Sequence, residues 1–436
     1  MFGMKDQHDL YWIWLADKFG IASKEFPSFA DKFSDPYEVY RFTEEEIEHI
    51  EGISDRLRSR LCNKSLESAY SIVKYCRKYG VDVIGYNDAT YPTRLKTIEN
   101  PPVLLYCLGE MPNFDSRLCI AMVGTRKMSE YGKQTAYKMA YELASADVCV
   151  VSGMALGIDG VCACGALEAG GTTVAVLGCG MSFTYPREHE KLKKYIIKQG
   201  AVITEYPPFE QPQPHNFPKR NRIISGLCQG VVVVEGAKGS GALITAARAV
   251  AQGRELFAVP GKVDESNSDG PNDLIREGAN VALCTDDIIR HYDFLYHDDI
   301  NYRGLYIAKR RSDLSENTLK RYGVCAAQPR RRFEKRVEQA DEMKIGGLAK
   351  QSEPQKSADV SVNDTAEPNK VPDTAVYDAL DATTKRVYDL IPEGQSVTAD
   401  VIAANGVNIS EVVTALTMLE ISGLIASAPG GAFKRV

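Results

Sequence analysis

Six short runs of β-branched and aliphatic residues recur between residues 119 and 259. Each is closed by a glycine-containing turn, and most are followed by an amphipathic stretch. The runs cover residues 119–123, 148–151, 173–177, 201–204, 231–234 and 256–259. Strands that alternate with helices cannot pair as hairpins. They build βαβ units and a parallel sheet buried on both faces. Right-handed crossovers then give a doubly wound, α/β fold with an extended Rossmann-like parallel sheet.

The 436 residues exceed what one core holds, since single cores rarely grow past about 250–300 residues. Residues 1–78 carry helical spacing: Leu10, Ile13, Trp14 and Leu15, then Ile47, Ile50, Ile53, Leu57 and Leu61, with Gly52 at a turn. This predicts a small helical, SAM-like module. Residues 47–53 resemble a helix-hairpin-helix, although Glu44, Glu45, Glu46 and Glu48 would repel phosphate. The Rossmann-like region takes residues 79–299. Residues 300–373 turn polar and are expected to form a flexible linker, with basic clusters at 309–311 and 330–332 that are either solvated or auxiliary DNA contacts. Residues 374–436 predict three helices and a β-hairpin around Pro429, a winged helix. Thr398 is the expected N-cap of its second helix. Val412, Val413, Leu416 and Leu419 are the expected inward face of its third. That third helix exposes Ser410, Glu411, Thr414, Thr417 and Glu420 and carries no Lys or Arg, which favours a protein contact over a duplex reader.

The net charge is −6, so a nucleic-acid site must be a local basic patch on an acidic body. Eleven cysteines follow no framework spacing, and Cys162 and Cys164 have no second pair at zinc-like distance. Free thiols of this kind suit a reducing, cytoplasmic setting. The N-terminus lacks an apolar signal core and the longest apolar runs are too short to span a bilayer, so no membrane association is expected.

Chemistry concentrates in the turns after the strands. Gly124, Thr125 and Arg126 follow the first run. Glycine admits a close backbone approach and Arg126 suits a phosphate, unless it pairs with a strand-end carboxylate. Ser152, Gly153 and Met154 leave a bare backbone able to form an anion-binding nest, with Asp159 expected as N-cap of the next helix. Gly178 and Gly180 make a third turn. Phe217, Lys219, Arg220, Asn221 and Arg222 reverse the local sign of charge. The cations are read as phosphate contacts, and Phe217 either stacks a base or packs in the core. Gly239, Ser240 and Gly241 open a helix without the Gly-Lys-Ser/Thr ending of a Walker A loop. In an open parallel sheet these turns converge beyond the carboxyl ends of the strands.

Taken in order, these segments resemble the DNA-processing protein A (DprA/Smf) family. They are Val-Gly-Thr-Arg at 123–126, Ser-Gly-Met-Ala at 152–155, Leu-Gly-Cys-Gly at 177–180, Arg-Asn-Arg-Ile-Ile-Ser-Gly at 220–226, Ser-Gly at 240–241 and Val-Pro-Gly at 259–261. The resemblance implies a non-enzymatic protein of natural transformation that binds and protects incoming single-stranded DNA, loads the recombinase RecA, forms a homodimer and uses no cofactor. It also implies that Arg126, Lys219, Arg220 and Arg222 line the strand pocket. The chain departs from the family at Leu156, where an Arg is usual, and at Cys164, where a His is usual. Both losses would weaken or reshape a groove. The rival reading is a Rossmann-like nucleotide phosphoribohydrolase, which needs a glycosidic carboxylate and a Pro-Gly-Gly-x-Gly-Thr loop. Neither is found, and His215, one candidate base, has no evident partner.

Overall fold

The computed structural model describes residues 4–324, 380–392, 394–422, 424–428 and 432–435. Helices α1 (Met4–Phe19), α2 (Phe26–Ala30), α3 (Pro36–Arg41), α4 (Glu44–Glu48), α5 (Asp55–Cys62) and α6 (Glu67–Tyr79) form the N-terminal part. Local chemistry sets their ends. Thr43 and Glu46 exchange capping-box bonds at α4, Ser54 accepts from Leu57 N–H at α5, and Gly52 takes φ +85 between the two. All nine apolar residues expected to face inward here are buried. This part shares one core with the sheet, where Trp14 and Ile13 join Leu104 and Tyr106. Trp12 lies so close over Gly85 that a Cβ there would sit 2.3 Å from the indole.

The sheet has nine strands in the order β1-β2-β6-β5-β4-β3-β7-β8-β9. The strands are β1 (Asp82–Gly85), β2 (Leu104–Gly109), β3 (Cys119–Val123), β4 (Cys149–Ser152), β5 (Thr173–Val176), β6 (Ala201–Thr204), β7 (Gly230–Val233), β8 (Glu255–Ala258) and β9 (Asn280–Val281). From β6 to β9 every pairing is parallel, while β1 and β2 add an antiparallel edge. The sheet is therefore mostly parallel, and the six predicted strands lie within one residue of their expected places. The three others lay outside the strand–helix rhythm, since only the four-residue α7 (Thr93–Lys96) separates β1 from β2. Helices α8 (Glu130–Ser145), α9 (Ile158–Glu168) and α10 (Glu190–Gln199) pack on one face of the sheet. Helices α11 (Asn216–Gly226) and α12 (Gly241–Ala251) cover the other.

Beyond α13 (Asp269–Arg276) and α14 (Thr285–Tyr296), the chain does not become a linker at residue 300. Helices α15 (Tyr302–Ala308) and α16 (Glu316–Tyr322) continue to residue 324. Leu305, Ala308, Tyr322 and Val324 are buried. Tyr322 Oη donates to Glu168 at 2.9 Å beside the Arg321–Glu168 ion pair, and Ser312 bonds Glu142 at 3.0 Å. The apolar residues are few, but Leu305, Tyr322 and Val324 are placed in the core beside α8 and α9, so composition understated the burial. In the first basic cluster Lys309 pairs with Asp286 and Arg310 lies 4.8 Å over Tyr306. The cluster at 330–332 lies outside the described residues.

The C-terminal part has its own core of Val387, Ile391, Ile402, Val412, Leu416 and Leu419. It comprises α17 (Ala382–Asp389), β10 (Val397–Thr398), α18 (Ala399–Ala403), α19 (Ile409–Ile421), β11 (Ile425–Ala428) and β12 (Ala432–Arg435), with strand order β10-β12-β11. This is the expected winged helix. Thr398 holds the N-cap position without a side-chain cap bond, and Val413 is only half-buried.

Candidate nucleic-acid interface

Strand order reverses at β3. Successive crossovers from β3 lead outward to β4, β5 and β6 on one side, and β7 returns on the other. A crevice opens at such a switch point, between the loops after β3 and β7. Thr125 N–H donates to Glu235 carbonyl at 2.8 Å, which ties these two loops together. The Glu235 carboxylate is buried and accepts from Ser129 N–H at 2.9 Å and from Ser129 Oγ. An internal carboxylate therefore occupies the N-terminus of α8. A lone acid at a strand end carries no signal in the sequence that would single out Glu235.

The same happens at the expected nest. Gly153 N–H and Ala155 N–H donate to Asp159 Oδ2 at 3.0 and 3.4 Å, and Met154 N–H donates to Ser152 Oγ at 3.4 Å. Gly157, not Asp159, is the N-cap of α9. Asp159 locks the loop instead, and Ser152 and Met154 are wholly buried. These backbone donors are satisfied within the chain and offer no nest to an external anion.

The basic segment divides into three environments. Arg222 is 5% exposed and forms a double hydrogen bond to Glu205, 2.7 and 2.6 Å, with Nε donating to Asn100 carbonyl at 2.8 Å. It is a structural ion pair and not a phosphate contact. Arg220 is buried beneath the crevice, where it donates to Gly153 carbonyl at 2.9 Å and to Val176 carbonyl. Burial lowers its pKa to about 10 despite Asp159, and burial raises the Asp159 carboxyl despite Arg220. Lys219 is exposed but lines a cleft shared with the N-terminal helices. Helical geometry explains the split, because residues 219, 220 and 222 of α11 point in different directions. Asn221 is buried and donates to Gly241 carbonyl at 3.3 Å.

What remains open is compact. Arg126 is exposed, and its guanidinium has no ion pair or hydrogen bond among the described residues. It lies 5.7 Å from the Phe217 ring centroid, with Arg220 at 5.8 Å from the same ring. Tyr185, 40% exposed, meets Phe217 at 5.1 Å and 36°. Gly178 admits that ring, since a Cβ would lie 2.8 Å from it. Lys193 Nζ, donating to Met181 and Phe183 carbonyls at 3.0 and 2.8 Å, fixes the loop that presents Tyr185. No signal in the sequence singles out Tyr185, because only the fold of this loop brings it to Phe217. Gly124 packs on Ile158, and Gly180 fits against the carbonyls of Pro207 and Pro208, so both serve packing. At the start of α12, Gly239 takes φ +75, Gly241 is exposed, and Ser240 Oγ has no partner among the described residues. Cys164 is buried, with its thiol 3.9 Å from Thr318 carbonyl, so its departure from the family leaves the crevice untouched. Leu156 is half-exposed in the loop before α9.

The fold and crevice define a Rossmann-like α/β protein with an appended winged helix, whose switch point holds an unpaired arginine over an aromatic pair. The chain belongs to the DNA recombination-mediator protein A family, a family of DNA-processing proteins: residues 82–293 match that family and residues 371–431 match the DprA winged helix domain. It is 37% identical over 238 residues to the DNA processing protein DprA of Bacillus subtilis, covering 54% of this chain and 80% of that one. It is 27% identical over 436 residues to protein Smf of Synechocystis sp., covering 99% and 100%. The X-ray structure of DNA processing protein A from Streptococcus pneumoniae superimposes with a TM-score of 0.57 at 32% identity, over 64% of this chain and 97% of that one. Among the described residues no helix is long and apolar enough to cross a membrane.

Proposed function

We propose that the chain binds single-stranded DNA across the switch-point crevice, and that in the cytoplasm of its cell it protects incoming strands and delivers them to the RecA recombinase during natural transformation. The observation that carries this reading is the Arg126–Phe217–Tyr185 cluster. A free guanidinium neutralises a phosphate, while partly exposed rings stack bases regardless of sequence. Exposed Lys127 and exposed Gly241 at the start of α12 extend the path for further phosphates. The action is binding and not catalysis. The protein works as a homodimer, and the exposed apolar residues Val281 and Leu283 at β9, with Phe294 and Leu295 at the end of α14, support that.

Fluorescence anisotropy with single- and double-stranded oligonucleotides across a salt series tests the reading. Preference for single strands is expected, with a steep salt slope that Arg126→Ala flattens by about one unit. Equal affinity for duplex, or an unchanged slope in the variant, would reject this crevice. Intact oligonucleotide and unconverted nucleotide after prolonged incubation are expected for a binder. Turnover would overturn the non-enzymatic reading.

A further inference from the structure

The first turn of α11 separates two spaces. Phe217 turns toward Arg126 and Tyr185 in the crevice. Its neighbour Asn216 lines a cleft of about 330 Å³ between the N-terminal helices and the loop after β6. Such a volume lies at the lower end of small-ligand sites, roughly 300–1,000 Å³. Asn216 is 2% exposed, and its side-chain Nδ2 has no hydrogen-bond partner among the described residues. The residue is held firmly all the same, because its backbone carbonyl accepts from Tyr206 Oη at 3.1 Å. A rigid, buried amide left without a partner is costly unless a ligand completes it.

Charges around the cleft are mixed. Asp17 and Glu210 stand against Arg60 and Lys219, and Glu205 is neutralised by Arg222. With two carboxylates balanced by two cations the lining offers no net attraction to a phosphate, whereas an uncharged polar ring needs none. An amide presents a donor and an acceptor in one plane, the complement of a base edge.

We propose that this cleft takes one nucleobase and that the Asn216 amide reads its edge. The inference rests on the strand-binding reading above, with Asn216 and Phe217 as adjacent contacts on either side of α11. The base comes from the bound strand or from a free nucleotide.

Anisotropy of the full chain with labelled dA, dC and dT homopolymers, competed by the deoxynucleoside monophosphates, is the test. Asn216→Asp removes the amide donors and keeps the shape. Ser68→Trp plugs the cleft from α6 and leaves α11 intact. The wild type is expected to favour one base by roughly fivefold or more, and both variants to lose that preference. Arg126→Ala lowers affinity for all homopolymers alike. Competition by the preferred monophosphate, lost in both variants, assigns a free nucleotide as the source. Selection seen only with oligonucleotides assigns a base of the strand. Equal wild-type affinity for every homopolymer without monophosphate binding, or a preference that survives both substitutions, overturns the proposal. Absence of strand binding altogether overturns the strand-binding reading, and variant-sensitive monophosphate binding would then sustain the cleft alone.

Discussion

The Arg222 guanidinium meets the Glu205 carboxylate in two hydrogen bonds of 2.7 and 2.6 Å, with side chains only 6% and 3% exposed. Removing one partner leaves the other charge buried and unpaired. Arg222→Ala should therefore lower stability by about 3–5 kcal/mol. Replacing both residues by apolar ones of similar volume should recover most of it. Denaturant titration checks both variants. DNA affinity per folded molecule should be unchanged by Arg222→Ala, which separates this residue from Arg126.

Gly157 takes φ +81, and a Cβ there would lie 2.4 Å from Thr125 carbonyl and 2.7 Å from Arg126 carbonyl. Gly157→Ala forces a left-handed backbone on alanine and pushes the Arg126 loop away. Stability should fall by more than about 1 kcal/mol, and oligonucleotide affinity should fall with it. Gly170→Ala, at φ +76 with open space around it, should lose stability without losing affinity.

His8 binds Asp88 at 2.9 Å and Asp9 at 3.3 Å, and these carboxylates raise its pKa from 6.5 to about 10. The folded state thus holds a proton that the unfolded state releases near pH 6.5. The contribution is fully present below pH 6.5 and is lost as pH rises through about 10. Thermal melts should show stability declining across that window, and His8→Ala should flatten the decline. Trp12 Nε1 lies 3.1 Å from His8 Nε2, so tryptophan emission should follow the same titration.

Leu305, Tyr322 and Val324 cover α8 and α9. A chain ending after residue 299 should melt lower and bind more hydrophobic dye than one ending after residue 324. Equal melts would restore the view that the linker begins at residue 300.

Phe294 is 95% exposed and Leu295 is 72% exposed. Apolar side chains so open at the end of α14 invite a second copy. Light scattering should show dimers that Phe294→Arg dissociates. A wild-type monomer at all concentrations would remove the dimer from the proposed function.

Period and turn chemistry made the doubly wound sheet legible, because strand and helix alternation constrains topology through local rules alone. Arg126 was legible for the same reason, as a turn residue beyond β3, and Phe217 as the aromatic beside the run of cations that begins α11. Short edge strands such as β9 and the sparse helices α15 and α16 were not, since their burial depends on surfaces supplied by distant parts of the chain.

The sequence by itself determined the parallel sheet, the family and the loops that close its strands. Only the tertiary structure decided which charges in the crevice are available. Arg220, Arg222 and Lys219 look alike along the chain, yet α11 turns them toward Gly153 carbonyl, toward Glu205 and toward the N-terminal helices in turn. Likewise Glu235 and Asp159 occupy backbone donors that composition would leave open. A charge is free or spent according to what lies within a few ångströms of it, and that distance is set by packing between residues far apart in sequence.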